Sequence, residues 1–150
     1  MKTFLPEEIK EISQQLDCGL NCYWNIISGL LMFVPNDDLL SLDEGGAYQK
    51  DIEFLEENSL EFRKIEKPDS KTAFIFMADF METLPQKSII KSMLEKALEN
   101  KHPFKEFKFQ IDQAGDYREL WFAFKNKKMQ EYVKDQIDKI IEAENNSRLN

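Results

Sequence analysis

Histidine is the scarcest of the residues that usually carry catalysis, because His102 is the only one in 150 residues. A serine or cysteine nucleophile needs a neighbouring base, and His102 lies beside a proline in a segment that predicts a loop. The five glycines form neither a GxGxxG fingerprint nor a phosphate-binding loop of the Walker type. The sequence therefore predicts no catalytic residue and no cofactor, and it favours a protein that is not an enzyme.

Cysteine is almost as scarce, with Cys18 and Cys22 as the only two. A structural zinc site takes four ligands, and this CxxxC pair supplies two of them. No second pair follows, and His102 lies 80 residues beyond Cys22. We therefore expect no metal at these residues. Both cysteines are expected to pack as small apolar side chains, buried or half-buried.

Long apolar runs are missing as well. The longest extends from Ile26 to Val34 and is interrupted by Ser28 and Gly29, whereas a membrane-spanning helix needs about 20 apolar residues. The first residues also lack the apolar segment of a secretory signal. We therefore expect no membrane partner and a cytoplasmic location.

Positive charge is in the minority, since 20 basic side chains face 28 acidic ones and the net charge is −8. Residues 1–102 carry 11 basic and 19 acidic side chains, whereas residues 103–150 carry nine of each. Tight non-specific binding of DNA depends on neutralising its phosphates. A surface that binds nucleic acid therefore has to be local, and the last third of the chain is the only place for it.

Aromatic and basic residues concentrate between Pro103 and Lys128, a window with seven of the 18 aromatic residues and six basic ones. Its segment 103–111 alternates like a strand, but a proline suits the first turn of a helix, and we favour a helix there. Helical spacing then predicts these core residues: Phe104, Phe107, Ile111, Leu120, Trp121 and Phe124.

The first part of the chain predicts a helix and a β-hairpin. Apolar residues at spacings of three and four predict a helix over 6–17. Alternation over 20–26, a Ser-Gly turn and an apolar run over 30–34 predict two antiparallel strands. The second is apolar on both faces, so we expect it at the centre of the sheet. A charged third strand over 60–67 is expected at the border.

Helical spacing governs most of the remaining chain. It predicts a helix over 46–57, a helix capped by Asp69 or Ser70 that ends before Pro85, and a helix over 86–98. A long helix over 116–143 follows, with the last residues frayed, and segment 37–45 stays unassigned. We predict a single α+β domain spanning 1–150, in which a small antiparallel sheet of about three strands packs with about six helices and the C-terminal half is helical.

Two aromatic motifs of this chain resemble those of a bacterial family, uncharacterised protein family 0158. They are PFKEFKFQID and YRELWFAF, and the similarity extends to FLPEEIKEI and LDCG near the start and to the hairpin that ends in FVP. It covers most of the chain and is loose around residues 37–47. The resemblance implies a single small α+β domain from a bacterium, and it supplies no catalytic residues.

Two functions share one candidate surface. The first is a protein-binding or regulatory module, because the helix from residue 116 shows more apolar surface than one neighbour covers, and Trp, Tyr and Arg are favoured at interface centres. The second is weak, salt-sensitive binding of single-stranded RNA or DNA through basic side chains and aromatic stacking, which Arg118→Ala or Lys125→Ala would reduce. The candidate surface consists of Tyr117, Arg118, Trp121, Lys125, Lys127 and Lys128.

A third and more remote hypothesis is a metal-dependent nuclease. Asp69, Glu106 and Lys108 resemble the Asp…Glu-x-Lys arrangement of one nuclease class, in which carboxylates hold a magnesium ion. The chemistry requires the three side chains to converge, and a helix over 103–111 would separate Glu106 from Lys108. The sequence gives no indication of the oligomeric state.

Overall fold

The structure, a computed structural model, describes residues 1–40 and 45–149, apart from the side chain of Asp38. The chain divides into two compact units. The sheet unit comprises Met1–Lys67 and Gln130–Asn150, and the helical unit comprises Pro68–Met129. The described residues contain one three-stranded antiparallel sheet, six helices of nine residues or more and one single-turn helix. The predicted α+β class with a helical C-terminal half is confirmed.

The sheet unit begins with helix α1, Pro6–Asp17, over the predicted span. Pro6 occupies its first turn, and the carboxylate of Glu8 accepts the backbone N–H of Leu5 at 3.1 Å. Ile12 and Leu16 are fully buried from this helix. Gly19 follows with φ +96°, a left-handed conformation that glycine adopts without strain and that ends the helix.

Strand β1, Leu20–Asn25, is the centre of the sheet, with β2, Leu31–Pro35, on one side and β3, Phe62–Ile65, on the other. The prediction that the second strand would be central is wrong. Strand β1 buries four of its six residues, two on each face, and its two asparagines, Asn21 and Asn25, are among them. Because asparagine is polar, the sequence pattern did not indicate that these two residues are buried.

Asn25 is accommodated because its amide organises the hairpin. Its Oδ1 accepts the backbone N–H groups of Ile27 and Ser28, both at 2.9 Å, and its Nδ2 donates to Glu61 at 3.2 Å. A buried amide with these partners avoids the cost of an unpaired polar group. Strand β2 keeps its first three residues half-exposed at the edge.

Strand β3 lies at the sheet border, as predicted, and side chains from the last helix cover its edge. Gln136 donates from Nε2 to the carbonyl of Glu66 at 2.8 Å and accepts the N–H of Glu66 at 3.2 Å. Arg63 places Nε and a terminal nitrogen at 2.7 Å from the Glu144 carboxylate. The Gln136 contacts satisfy backbone groups that an open edge would leave unpaired.

The segment between β2 and β3 carries two helices. Helix α2, Asp37–Leu40, is a single turn within the span that the sequence left unassigned, and residues 41–44 of that span lie outside the described residues. Helix α3, Gln49–Glu57, lies within the predicted 46–57. A single 3-10 turn, Ser59–Glu61, leads from α3 into β3.

The helical unit contains α4, Ser70–Glu82, and α5, Ile89–Leu98, followed by α6, Pro103–Asp112. Asp69 caps α4 by accepting the N–H of Thr72 at 2.8 Å, as predicted. The start of α5 lies three residues after the predicted Gln86, because the hydroxyl of Ser88 accepts the N–H of Lys91 and acts as the cap. The predicted helix at α6 is confirmed.

Helix α7, Asp116–Leu149, is longer than predicted. The residues expected to fray after 143 are helical, and Glu144, which pairs with Arg63 in the sheet unit, supplies a physical reason. Residues 116–129 of α7 belong to the helical unit and the rest to the sheet unit. Among the described helices, none combines the length and apolarity that crossing a membrane requires.

Trp121 is the centre of the aromatic core of the helical unit. Its ring lies 4.9 Å from Phe107 and 5.4 Å from Phe80, centroid to centroid, and Phe124 lies 5.5 Å from Phe80. Ile111 is buried one turn after Phe107. The core assignment is therefore confirmed for Phe107, Ile111 and Trp121, and Phe124 is half-buried.

Three residues expected inside are exposed. Trp121 points towards the centre of the buried face of α7. Leu120 points about 100° away from Trp121 and therefore lies outside the buried face. Phe104 lies in the first turn of α6, edge-on to Phe74 with 6.5 Å between ring centroids, and its other side faces solvent. Cys18 is exposed because it follows the end of α1, whereas Cys22 is buried in β1.

Candidate functional site

The aromatic part of the predicted surface is largely inside the helical unit. Trp121 is only 8% exposed and is enclosed by Phe80 and Phe107. Its ring is therefore unable to stack on a nucleic-acid base without leaving the core. Tyr117 is half-buried one turn before it. Of the two predicted stacking residues, Tyr117 alone has solvent access of any size.

Arg118 already has partners within the helical unit. Its Nε lies 3.2 Å from the carboxylate of Asp112, and its guanidinium lies 4.8 Å from the ring centroid of Phe122. Both contacts are exposed, so they are individually weak. Together they hold the guanidinium against α7 and offset its charge with a carboxylate.

The three lysines are distributed around α7. At about 100° per residue, Arg118 and Lys125 lie about 20° apart, whereas Lys127 lies about 180° from Arg118. Lys127 is exposed, Lys125 and Lys128 are half-buried, and the Nζ of Lys128 lies 5.5 Å from the ring centroid of Phe124. The four basic residues therefore do not form one continuous patch.

The residues of the nuclease hypothesis have other roles or directions. Asp69 caps α4, and hydrogen bonds from Thr72 lower the pKa of its carboxyl. Glu106 and Lys108 are two residues apart on α6, which directs them about 200° apart. Among the described residues, no group of three or more His, Cys, Asp and Glu side chains is arranged to hold a metal ion.

An open groove in the helical unit is the feature that the sequence did not indicate. It has a volume of about 490 Å³ and is formed by α5, the end of α6 and the start of α7. All eight of its described lining residues are uncharged. They are Ser88, Ile89, Ile90, Met93, Gln110, Gln113, Ala114 and Tyr117.

The packing of α5 determines which of its side chains reach this groove. Ile90 and Leu94 share the buried face, while Ile89 and Met93, also four residues apart, lie on the outer face. Ile89 is 80% exposed and Ile90 is 8% exposed. The two neighbouring isoleucines therefore have opposite environments.

The other wall of the groove is polar and uncharged. Gln110 and Gln113 lie on the last turn of α6, and Gln113 donates to the carbonyl of Phe109 at 3.2 Å. Gly115, with φ +58°, separates α6 from α7 and places Ala114 and Tyr117 at the end of the groove. Amide and hydroxyl groups thus lie beside an exposed apolar stripe.

Sequence reasoning placed Ile89 and Met93 in the helix over 86–98 and did not indicate that both residues are exposed. The available signal was the width of the stripe, because Ile89, Ile90, Met93, Leu94, Ala97 and Leu98 cover more of a helix than one buried face needs. The structure buries Ile90, Leu94 and Ala97 and leaves Ile89 and Met93 exposed.

No family model, curated protein or solved structure matches this chain. The resemblance to uncharacterised protein family 0158 therefore stays a prediction. The candidate site depends on the groove geometry alone.

Proposed function

We propose that this chain is a non-catalytic protein-binding module, acting as a regulatory component of the bacterial cytoplasm, and that its partner docks in the groove of the helical unit. The observation that carries the proposal is the pair Ile89 and Met93, exposed on one face of α5 and lining an uncharged groove. Fully burying an isoleucine or methionine side chain contributes about 1.5–3 kcal/mol.

The composition of the groove favours a protein over a polyanion. Interface centres are depleted in charged residues and enriched in Tyr and Met, and Met93 and Tyr117 both line this groove. A phosphate-bearing ligand would need cations, and the described lining supplies none. The amides of Gln110 and Gln113 can hydrogen-bond a partner's backbone.

Affinity capture from a bacterial lysate, with and without nuclease treatment, tests this function. The wild-type chain is compared with Ile89→Lys, which places a charge in the groove, and with Ile75→Lys, an exposed isoleucine on α4 that is not among the lining residues. We expect Ile89→Lys to reduce the captured partner by about tenfold or more, as for a central interface residue. Ile75→Lys and nuclease should have no effect.

Two results would contradict the proposal. Equal capture by wild type and Ile89→Lys would remove the groove as the docking site. Capture that disappears after nuclease treatment, and that falls in Arg118→Ala or Lys125→Ala, would favour the nucleic-acid alternative instead. Circular dichroism of each variant establishes that a loss of binding does not come from a loss of folding.

A further inference from the structure

We propose that α3 and the 3-10 turn after it form a second docking surface, in the sheet unit, for a basic amphipathic helix of a partner protein. The surface consists of Phe54 and Leu60 with the carboxylates that flank them. It shares no residue with the groove of the helical unit. The surface is independent of the proposed function, because it consists of different residues and selects its partner by charge.

The apolar part of this surface is incompletely covered. Every residue of α3 is at least partly exposed. This includes Ile52 and Leu55, which lie on the same side of the helix as Tyr48. Phe54 is 44% exposed although its ring contacts buried Phe62 edge-on with 6.0 Å between centroids, and Leu60 is 89% exposed. An amphipathic helix normally buries part of its apolar stripe. A partner would complete this packing.

The charge around Phe54 and Leu60 determines what the partner must be. Residues 45–61 carry five carboxylates and one basic side chain, Lys50. Glu53, Glu56 and Glu57 are exposed. The sheet unit as a whole has nine basic and 19 acidic side chains, a balance of −10, whereas the helical unit has eleven and nine. A cationic partner is therefore complementary, and a second copy of the same surface would be repelled.

The helical geometry places charge beside the apolar side chains. Glu53 and Glu57 are one turn apart on the same side of α3, and both lie within about 100° of Phe54. Leu60 lies in the 3-10 turn, Ser59–Glu61, that follows α3. A helix with an apolar stripe and lysines or arginines along its edge can contact the ring, the leucine and both carboxylates together. Binding of amphipathic helices by apolar surfaces follows this pattern.

Fluorescence anisotropy with labelled peptides tests the proposal. The probes are a Lys/Leu amphipathic helix and a Lys/Ser peptide of the same length and charge. We expect the Lys/Leu peptide to bind about tenfold more tightly, because the leucines bury apolar area that serines do not. Leu60→Ser should weaken that binding about threefold to tenfold, since one exposed leucine is lost from the contact.

A matched pair of double variants separates local from general charge. Glu53→Gln/Glu57→Gln removes two carboxylates one turn apart on α3, and Asp138→Asn/Glu142→Gln removes two exposed carboxylates with the same spacing on α7. We expect the α3 variant to weaken binding of the Lys/Leu peptide about fivefold and the α7 variant to change it by less than about twofold. Salt screens the long-range electrostatic attraction that the α7 carboxylates would contribute.

Three outcomes would overturn the inference. Equal losses in the two double variants, or equal affinity for the two peptides, would show attraction to net charge only. Unchanged binding in Leu60→Ser would remove the surface even if the carboxylates matter. Ile89→Lys should keep full affinity for the Lys/Leu peptide, so this experiment and the capture experiment can fail separately.

Discussion

At the scale of the residue, the adjacent isoleucines Ile89 and Ile90 on α5 show that position on a helix, rather than residue type, determines whether a side chain is buried. Ile90 packs inside the helical unit while Ile89 faces solvent, because successive helical residues point about 100° apart and one side of α5 is packed. The same holds on α6, where Phe107 is buried and Phe104 is exposed. Exposed members of such pairs are available for binding, whereas the buried members hold the fold.

Alanine substitutions at the two isoleucines should therefore differ in their effect on stability. We expect Ile90→Ala to lower the free energy of unfolding by about 2–3 kcal/mol, because it leaves a cavity in the core. Ile89→Ala should change it by less than about 0.5 kcal/mol, as exposed substitutions do. Urea unfolding followed by circular dichroism measures both. Similar losses for the two variants would contradict the assignment of Ile89 to an exposed face.

The two cysteines should differ in their reactivity in the same way. Burial, reinforced by the negative charge of Glu11, raises the pKa of the Cys22 thiol to about 12, and Cys18 is exposed. At about pH 8 the Cys22 thiol is almost entirely protonated, and the thiolate is the reactive form. We expect iodoacetamide to modify Cys18 and spare Cys22 in the folded protein.

Mass spectrometry of the intact and the urea-unfolded chain measures this difference. The unfolded chain should be modified at both cysteines. The raised pKa also makes stability depend on pH, because the folded state favours the protonated thiol of Cys22. The free energy of unfolding should therefore fall as the pH rises from the ordinary thiol pKa towards about 12. Modification of Cys22 as fast as Cys18 in the folded chain would show that β1 is not a buried strand.

At the scale of the element, the last part of α7 is held to the border of the sheet by side chains rather than by apolar packing alone. The Gln136 amide pairs with both backbone groups of Glu66, and the Glu144 carboxylate pairs with Arg63. The helical conformation of residues 144–149 is consistent with this anchorage. The same contacts protect β3 from pairing with another chain.

Removing the Glu144 carboxylate tests the anchorage. The side chains of Arg63 and Glu144 are both largely covered, so Glu144→Gln should lower the free energy of unfolding by about 1 kcal/mol or more. The exposed pair Asp135 and Lys139 on the same helix is the control, and Asp135→Asn should leave the urea midpoint unchanged. Equal effects of the two substitutions would contradict a specific role for Glu144.

Several elements could be predicted because their signals are local. The helix at 6–17, the hairpin turn and the Asp69 cap depend on residues next to one another, and each was predicted close to its observed position. The central position of β1 could not be predicted, since it depends on a distant strand, β3, and on Asn25, which is buried because Glu61 and turn amides bond to it. The end of α7 depends on Arg63, which is 81 residues away from Glu144.

At the scale of the whole molecule, charge is divided unevenly between the two units. The acidic excess belongs to the sheet unit, and the uncharged groove belongs to the helical unit. The sequence indicated an acidic N-terminal part and an interaction surface near residues 116–128. It did not indicate the groove, because its walls come from three helices and each contributes only one to four residues.

Of the residues singled out from the sequence, Tyr117 lines the groove, and Trp121 is buried in the aromatic core of the same unit. The basic residues Arg118, Lys125, Lys127 and Lys128 are not among its described lining residues. A surface assembled from Ile89, Met93 and two glutamines has no compositional signature in a linear sequence. It becomes visible once the packing of α5 shows which side of that helix faces solvent.

The central claim is that a protein partner occupies this groove, and site-specific photo-crosslinking in living bacteria tests it most directly. A photoreactive phenylalanine analogue replaces Met93, inside the groove, or Ile75, an exposed residue on α4 that is not among the lining residues. We predict a discrete protein adduct from position 93 that is absent from position 75 and is lost when Ile89→Lys is added. Adducts of equal yield from both positions, or an adduct at 93 that persists with Ile89→Lys, would contradict the account.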